Sequence, residues 1–196
     1  MSRPSSRLAL RFDAVVVGAS AGGVAALKML LDALPPDLPV PVMVVLHLPR
    51  DRPSQLAELF THGCALPVAE AEDKARPGPG TVWIAPPDYH LLVEDRDTLA
   101  LSLDEPVLFS RPAIDPLFES AANVFGERLL ALLLTGASSD GSEGVAAVRA
   151  AGGVAWIQSP DDAAASTMPA SALARAGADE VLTLDQIRQR LRGFHP

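Results

Sequence analysis

A chain of 196 residues makes one large domain or at most two very small ones. Its 48% hydrophobic and 20% charged residues exclude a disordered chain, and its net charge of −8 excludes a general nucleic-acid binder, which needs a basic stripe. The single cysteine, Cys64, excludes an internal disulfide, the four histidines show no zinc-like spacing, and no stretch reaches the roughly 18 apolar residues that cross a bilayer.

Residues 1–12 carry three arginines but no apolar core followed by a cleavage site, so they read as a flexible leader and not a secretory signal. The expected location is therefore cytoplasmic. Residues 14–17 form an apolar, valine-rich run that stops at Gly18, the mark of a buried parallel strand. Apolar residues recur at helical spacing over 22–34, and Pro35-Pro36 ends that helix. A second apolar strand, 40–46, runs into His47-Leu48-Pro49, and 53–60 resembles a helix with proline in its first turn. Further strands are predicted at 81–85, 129–134, 154–158 and 180–184, with helices at 116–125, 141–150, 169–176 and 185–191. Residues 90–94 and 98–103 flank Asp95-Arg96-Asp97 as an antiparallel hairpin, and a polar, turn-like connection follows over 104–115. The cluster Arg76-Pro77-Gly78-Pro79-Gly80 is a turn and not a domain boundary. The fold class this implies is α/β: a doubly wound, mainly parallel sheet with helices on both faces and an antiparallel hairpin. It spans 13–192, with a short tail at 193–196.

In such a sheet the functional crevice lies beyond the carboxyl ends of the strands, which directs attention to three loops. Gly18-Ala19-Ser20-Ala21-Gly22 has the Gly-x-Ser-x-Gly pattern of a nucleophile elbow, a tight turn that lifts a serine hydroxyl above the sheet edge. The next helix aims its amides at the same spot. A phosphate- or dinucleotide-binding loop, without the full Gly-x-Gly-x-x-Gly spacing, or merely a tight turn are the competing interpretations. His47 stands at the end of the second strand, where it can meet Ser20; His62, His90 and His195 are less well placed. In the third loop, Thr135 to Gly141, Asp140 reads either as the N-cap of the helix beginning near Gly141 or as the carboxylate that orients His47. The order Ser…His…Asp also departs from the Ser…Asp…His of α/β-hydrolases, which weakens an ordinary esterase assignment. Trp83 and Trp156 read as core residues, Arg111 as a solvated loop arginine or a contact for an acidic receptor surface, and Tyr89 and His90 as either cleft lining or hairpin caps.

Taken together, these segments resemble a known family. Val16-Val17-Gly18-Ala19-Ser20-Ala21-Gly22-Gly23, Leu46-His47-Leu48-Pro49 and Leu134-Thr135-Gly136…Asp140-Gly141 closely resemble the catalytic domain of CheB-type chemotaxis protein-glutamate methylesterases. Ile84-Ala85-Pro86-Pro87-Asp88-Tyr89-His90, Ser110-Arg111-Pro112…Asp115-Pro116-Leu117-Phe118 and Met168-Pro169 add to the likeness, which runs over about residues 14–191. The resemblance implies a serine hydrolase that removes methyl esters from glutamates on the cytoplasmic helices of chemoreceptors and deamidates certain receptor glutamines. It implies Ser20 as nucleophile, His47 as general base and acid, and Asp140 as the orienting carboxylate, with no metal or organic cofactor. The amide of Ala21, with that of Gly136 or Ala137, would hold the oxyanion.

Two departures stand beside the presumed site: Ala21 where the family often has serine or threonine, and Ala137 where it usually has methionine. About a dozen residues precede the first strand, so the receiver domain of many members is expected to be absent: either the chain stands alone with other regulation, or a separate regulatory protein supplies the control. The implied partner is the cytoplasmic region of methyl-accepting chemoreceptors, with no nucleic acid and no membrane insertion. The alternatives are a catalytically silent signalling scaffold of the same fold, a phosphate- or nucleotide-binding module, or a broader small-molecule esterase.

Overall fold

The structure, a computed structural model, describes residues 11–51 and 53–194. Among the described residues, nine strands and six α-helices follow in the order β1 (Ala14–Ala19), α1 (Gly23–Leu31), β2 (Val42–Leu46), α2 (Leu56–Thr61), β3 (Val68–Glu70), β4 (Val82–Ile84), β5 (His90–Asp95), β6 (Thr98–Ser102), α3 (Ile114–Phe125), β7 (Leu129–Leu133), α4 (Ser142–Ala150), β8 (Val154–Gln158), α5 (Thr167–Ala176), β9 (Glu180–Leu182) and α6 (Leu184–Leu191). Seven strands form a parallel sheet in the order β3-β4-β2-β1-β7-β8-β9, while β5 and β6 pair antiparallel as a separate hairpin. The chain winds outward from β1 in one direction through β2 and in the other through β7, so the switch point falls between β1 and β7.

The central strands are apolar on both faces because both are covered. Val15, Val17 and Ala19 of β1 face a core built with α1, α2 and α6. Ala14 and Val16 face a second core with α3, α4, α5 and the hairpin. Trp156 is buried in the first of these, and Trp83 packs partly buried against the second.

Several expectations need correction. Strand β1 runs through Gly18 to Ala19, because Gly18 stays in the ladder and its carbonyl accepts from Leu134 N–H at 2.9 Å. Helix α2 begins at Leu56 and not at Pro53; the Ser54 hydroxyl takes the Leu56 N–H at 3.1 Å, a local bond that holds the preceding residues out of the helix. Helix α1 ends at Leu31, three residues short of the expected boundary. The strand β3 was not anticipated: its three residues are too few to show a pattern. Two residues expected in the leader and the tail pack into the domain. Phe12 and Phe194 are buried in the first core with ring centroids 6.3 Å apart, and Trp156 meets Phe194 edge-on at 6.2 Å. Of the leader expected at 1–12, residues 1–10 lie outside the described residues, as does His195.

Candidate active site

The carboxyl ends of β1, β2 and β7 carry the three side chains singled out above. Register places Ala19 of β1 opposite Leu46 of β2, so Ser20 and His47 leave the sheet side by side, and His47 N–H donates to the Ala19 carbonyl at 3.2 Å. Strand β7 lies on the other side of β1 and leads into the loop that carries Asp140. The structure joins the three. His47 Nδ1 is 3.1 Å from Ser20 Oγ, and His47 Nε2 is 2.7 Å from Asp140 Oδ2. With the Nε2 proton donated to the carboxylate, Nδ1 is left as the acceptor for the serine hydroxyl.

Asp140 is fully buried, and its charge is solvated by protein donors alone. Besides His47, its oxygens accept from Ile114 N–H at 2.6 Å, Asp115 N–H at 2.9 Å and Gly141 N–H at 2.8 Å. Burial pushes its pKa up, but the bonds from His47, Ile114 and Asp115 outweigh that and hold it below the ordinary aspartate value. The expectation that Asp140 caps the helix beginning near Gly141 is corrected here. The N-cap of α4 is Gly141 itself, with φ +93° and no side-chain cap. Asp140 instead caps α3, a helix 25 residues earlier in the chain.

The serine turn is built differently from a strained elbow. Ser20 is not among the residues with positive φ, and its N–H donates to the Thr135 carbonyl at 2.9 Å. Gly22 takes the left-handed conformation at φ +76° and starts α1. Gly18 is needed for close approach: a Cβ there would lie 2.6 Å from Ile114 Cγ2. Thr135 ties the serine turn to the third loop, since its buried hydroxyl donates to the Ala21 carbonyl at 2.9 Å and accepts from Ala165 N–H at 2.8 Å. Its own N–H donates to Gln158 Oε1 at 3.0 Å. Sequence reading missed both residues in this role; the signal was a polar residue directly at the end of each apolar run, β7 and β8.

The three candidate oxyanion donors separate. Gly136 N–H is committed to the Ala165 carbonyl at 3.0 Å, which removes it from the set. Ala21 and Ala137 are both exposed, and among the described residues neither N–H has a recorded acceptor.

Other residues have structural roles. His90 is buried, its Nε2 donating to the Glu105 carbonyl at 3.1 Å and its Nδ1 accepting from Ala113 N–H at 3.2 Å, so it anchors the connection before α3. Tyr89 is exposed at the surface. Arg111 is not a solvated arginine: it clamps Asp88 at 2.8 and 3.1 Å and the carbonyls of Leu103 and Asp104. His62 is exposed and bonds the Glu58 carbonyl. Beyond His47, an apolar cavity of about 260 Å³ opens between Leu48, Pro49, Leu56, Leu59 and Pro87. Among the described residues, no three histidine, cysteine or acidic side chains gather to hold a metal ion, and no helix is long and apolar enough to cross a membrane.

Residues 15–191 match the family model for the CheB methylesterase domain. The chain belongs to the CheB methylesterase family. CheB-family membership makes it an enzyme of a hydrolase family, and the relatives agree. A putative protein-glutamate methylesterase/protein-glutamine glutaminase of Leptospira interrogans is 38% identical over 180 residues, covering 92% of this chain and 93% of the relative. A protein-glutamate methylesterase/protein-glutamine glutaminase of Anaeromyxobacter dehalogenans is 40% identical over 94% of this chain, which there spans 54% of the relative's length. The crystal structure of the Thermotoga maritima CheB methylesterase catalytic domain superposes with a TM-score of 0.87 at 32% identity, covering 92% of this chain and 97% of that one. The α/β fold, with its parallel sheet and separate hairpin, is that of the CheB catalytic domain.

Proposed function

We propose that this chain hydrolyses γ-glutamyl methyl esters on the cytoplasmic helices of methyl-accepting chemoreceptors, and releases ammonia from receptor glutamines by the same route. The reading rests above all on the hydrogen-bonded chain Ser20–His47–Asp140 at the carboxyl ends of three adjacent strands. The names of the relatives supply the substrate class.

In the mechanism, Ser20 is the nucleophile. Its Oγ attacks the ester carbonyl carbon as His47 Nδ1 takes the hydroxyl proton. The imidazolium that forms keeps its Nε2 proton, donated in the hydrogen bond to Asp140, which stays ionised throughout. The tetrahedral oxyanion is held by the N–H groups of Ala21 and Ala137, with the positive end of α1 beside Ser20 adding to the field. Collapse breaks the bond to the methoxy oxygen, His47 returns the proton to that oxygen, and methanol leaves a glutamyl ester on Ser20. Water then attacks the ester carbon, gives its proton to His47, and displaces Ser20 Oγ, which regains the proton. With glutamine, ammonia takes the place of methanol. Each step uses this chain's side chains and amides, so no cofactor is invoked. The two alanines beside the serine and in the third loop act through their backbones, so their small side chains leave oxyanion donation intact.

The test is methanol release from methylated receptor cytoplasmic fragments. Wild type should release methanol and Ser20→Ala should not, with both proteins folded. Equal release by the two would remove Ser20 from the mechanism. No release by a wild type that binds the fragments would favour the silent scaffold.

A further inference from the structure

A second buried carboxylate stands behind the site, and the mechanism above does not use it. Asp115 lies in the first turn of α3 and is 7% exposed. Its N–H donates to Asp140 Oδ1 at 2.9 Å, while its own Oδ1 accepts from Gly144 N–H in the first turn of α4 at 2.7 Å. The two aspartates thus exchange helix caps: Asp140, just before α4, caps α3, and Asp115, in α3, caps α4. Gly144 permits this approach, since a Cβ there would lie 2.6 Å from Phe118 Cβ and 3.2 Å from Asp115 Oδ1.

The donors are shared unequally. Asp140 accepts from three backbone N–H groups and from His47, whereas Asp115 has one recorded donor, Gly144. Two buried carboxyls this close do not both ionise cheaply, and the better-solvated one keeps the charge. The surroundings reinforce the imbalance. Glu119 lies one turn further along α3, Glu143 of α4 is already paired with Arg175 of α5, and His90 of β5 is engaged with Ala113 and Glu105. His47 is bound on the far side of Asp140.

We propose that Asp115 is a positioning residue for the Ser20–His47–Asp140 chain: as a neutral carboxyl it locks the two helix N-termini that hold Asp140, and when ionised it sets a second negative charge against Asp140 and so acts on His47. The roles of Ser20 and His47 in this statement rest on the function proposed above. Burial pushes the Asp115 carboxyl up to about 7, the Gly144 N–H opposing and the Asp140 charge adding to the rise, so the change of state falls near neutral pH.

The test follows the full chain from pH 5 to 9 by two readouts that do not depend on the receptor substrate. One is the rate at which a fluorophosphonate probe labels Ser20; the other is the ¹⁵N signal of the His47 ring. Wild type should show an inflection near neutral pH in both that Asp115→Asn lacks. Asp115→Ala should label about tenfold more slowly, and Asp115→Asn, which keeps a group able to donate and accept, should recover to within about threefold of wild type. The proposal is overturned if the Asp115→Asn profile superimposes on that of wild type, or if folded Asp115→Ala labels at the wild-type rate. Should the alanine variant fail to fold, the asparagine profile decides alone. Should wild-type Ser20 not label, the nucleophile assignment fails, and the His47 signal decides the role of Asp115.

Discussion

The two ends of the Ser20–His47–Asp140 chain are built in opposite ways. At the aspartate end the carboxylate is fully buried, takes four N–H donors and is clasped between the first turns of α3 and α4. At the serine end the hydroxyl is half-buried, has His47 as its recorded partner, and is followed by the exposed Ala21. A fixed charge costs no reorganisation during reaction only if the protein has already oriented its surroundings, whereas a nucleophile must reach a substrate. Under the proposed mechanism, rigidity is concentrated on the group that orients His47, and the packed helix termini serve the chemistry as well as the fold.

Substitutions at the two ends should therefore separate activity from stability. Ser20→Ala is expected to lower turnover most, by about 10⁶-fold on the scale of other serine hydrolases, while shifting unfolding free energy by no more than about 0.5 kcal/mol. Asp140→Asn should lower turnover by about 10⁴-fold and also destabilise, because it disturbs buried charge-assisted bonds that contribute about 1.5–3 kcal/mol each. Methanol release and urea unfolding of the same preparations check both. Equal stability losses at the two positions would break the contrast.

A smaller effect is expected between the two ends. Gly18→Ala places a methyl against the stiff, β-branched Ile114, whose N–H holds Asp140, and should cost about 1–3 kcal/mol together with a partial loss of turnover. A variant that lost stability but kept wild-type turnover would detach Ile114 from the site.

The last effect is in pH dependence, and its sign differs between the two aspartates. Asp115 keeps its proton in the folded chain up to about 7 but loses it near the ordinary value of 3.8 when unfolded. Between those values the folded state binds more protons, so this group's contribution falls as pH rises and levels off above about 7. Asp140, held below the ordinary value, contributes stability that is present at neutral pH and lost as pH falls through its lowered value. Unfolding measured at pH 5, 6, 7 and 8 should show Asp115→Asn gaining on wild type up to about pH 7 and then running parallel. A constant difference across that range would contradict the assignment.

Much of this arrangement was legible in the residues, and the rest was not for physical reasons. Apolar runs such as Leu129–Leu133 announce buried parallel strands; Ser20 and His47 each follow such a run directly, and Asp140 closes the loop after a third. Long-range partners leave no such mark. Nothing local to Asp140 says that it caps a helix 25 residues earlier, or that Asp115 returns the bond to α4. Likewise Gly136 reads as a free loop amide until tertiary packing brings the Ala165 carbonyl to it, and Arg111 reads as a surface residue until Asp88 is beside it. Phe12 and Phe194 were assigned to the chain ends by position, yet they meet each other in the core. The short edge strand β3 owes its conformation to pairing with β4 more than to its own sequence.

In the proposed reaction Ser20 carries the acyl group. Acid-quenched mixtures of the enzyme with a short peptide bearing a glutamate methyl ester, digested and mapped by mass spectrometry, test it most directly. The account predicts an ester between the peptide's glutamyl carbonyl and Ser20, formed with loss of methanol and missing in Ser20→Ala. An adduct on another residue, or sustained methanol release by Ser20→Ala, would contradict it.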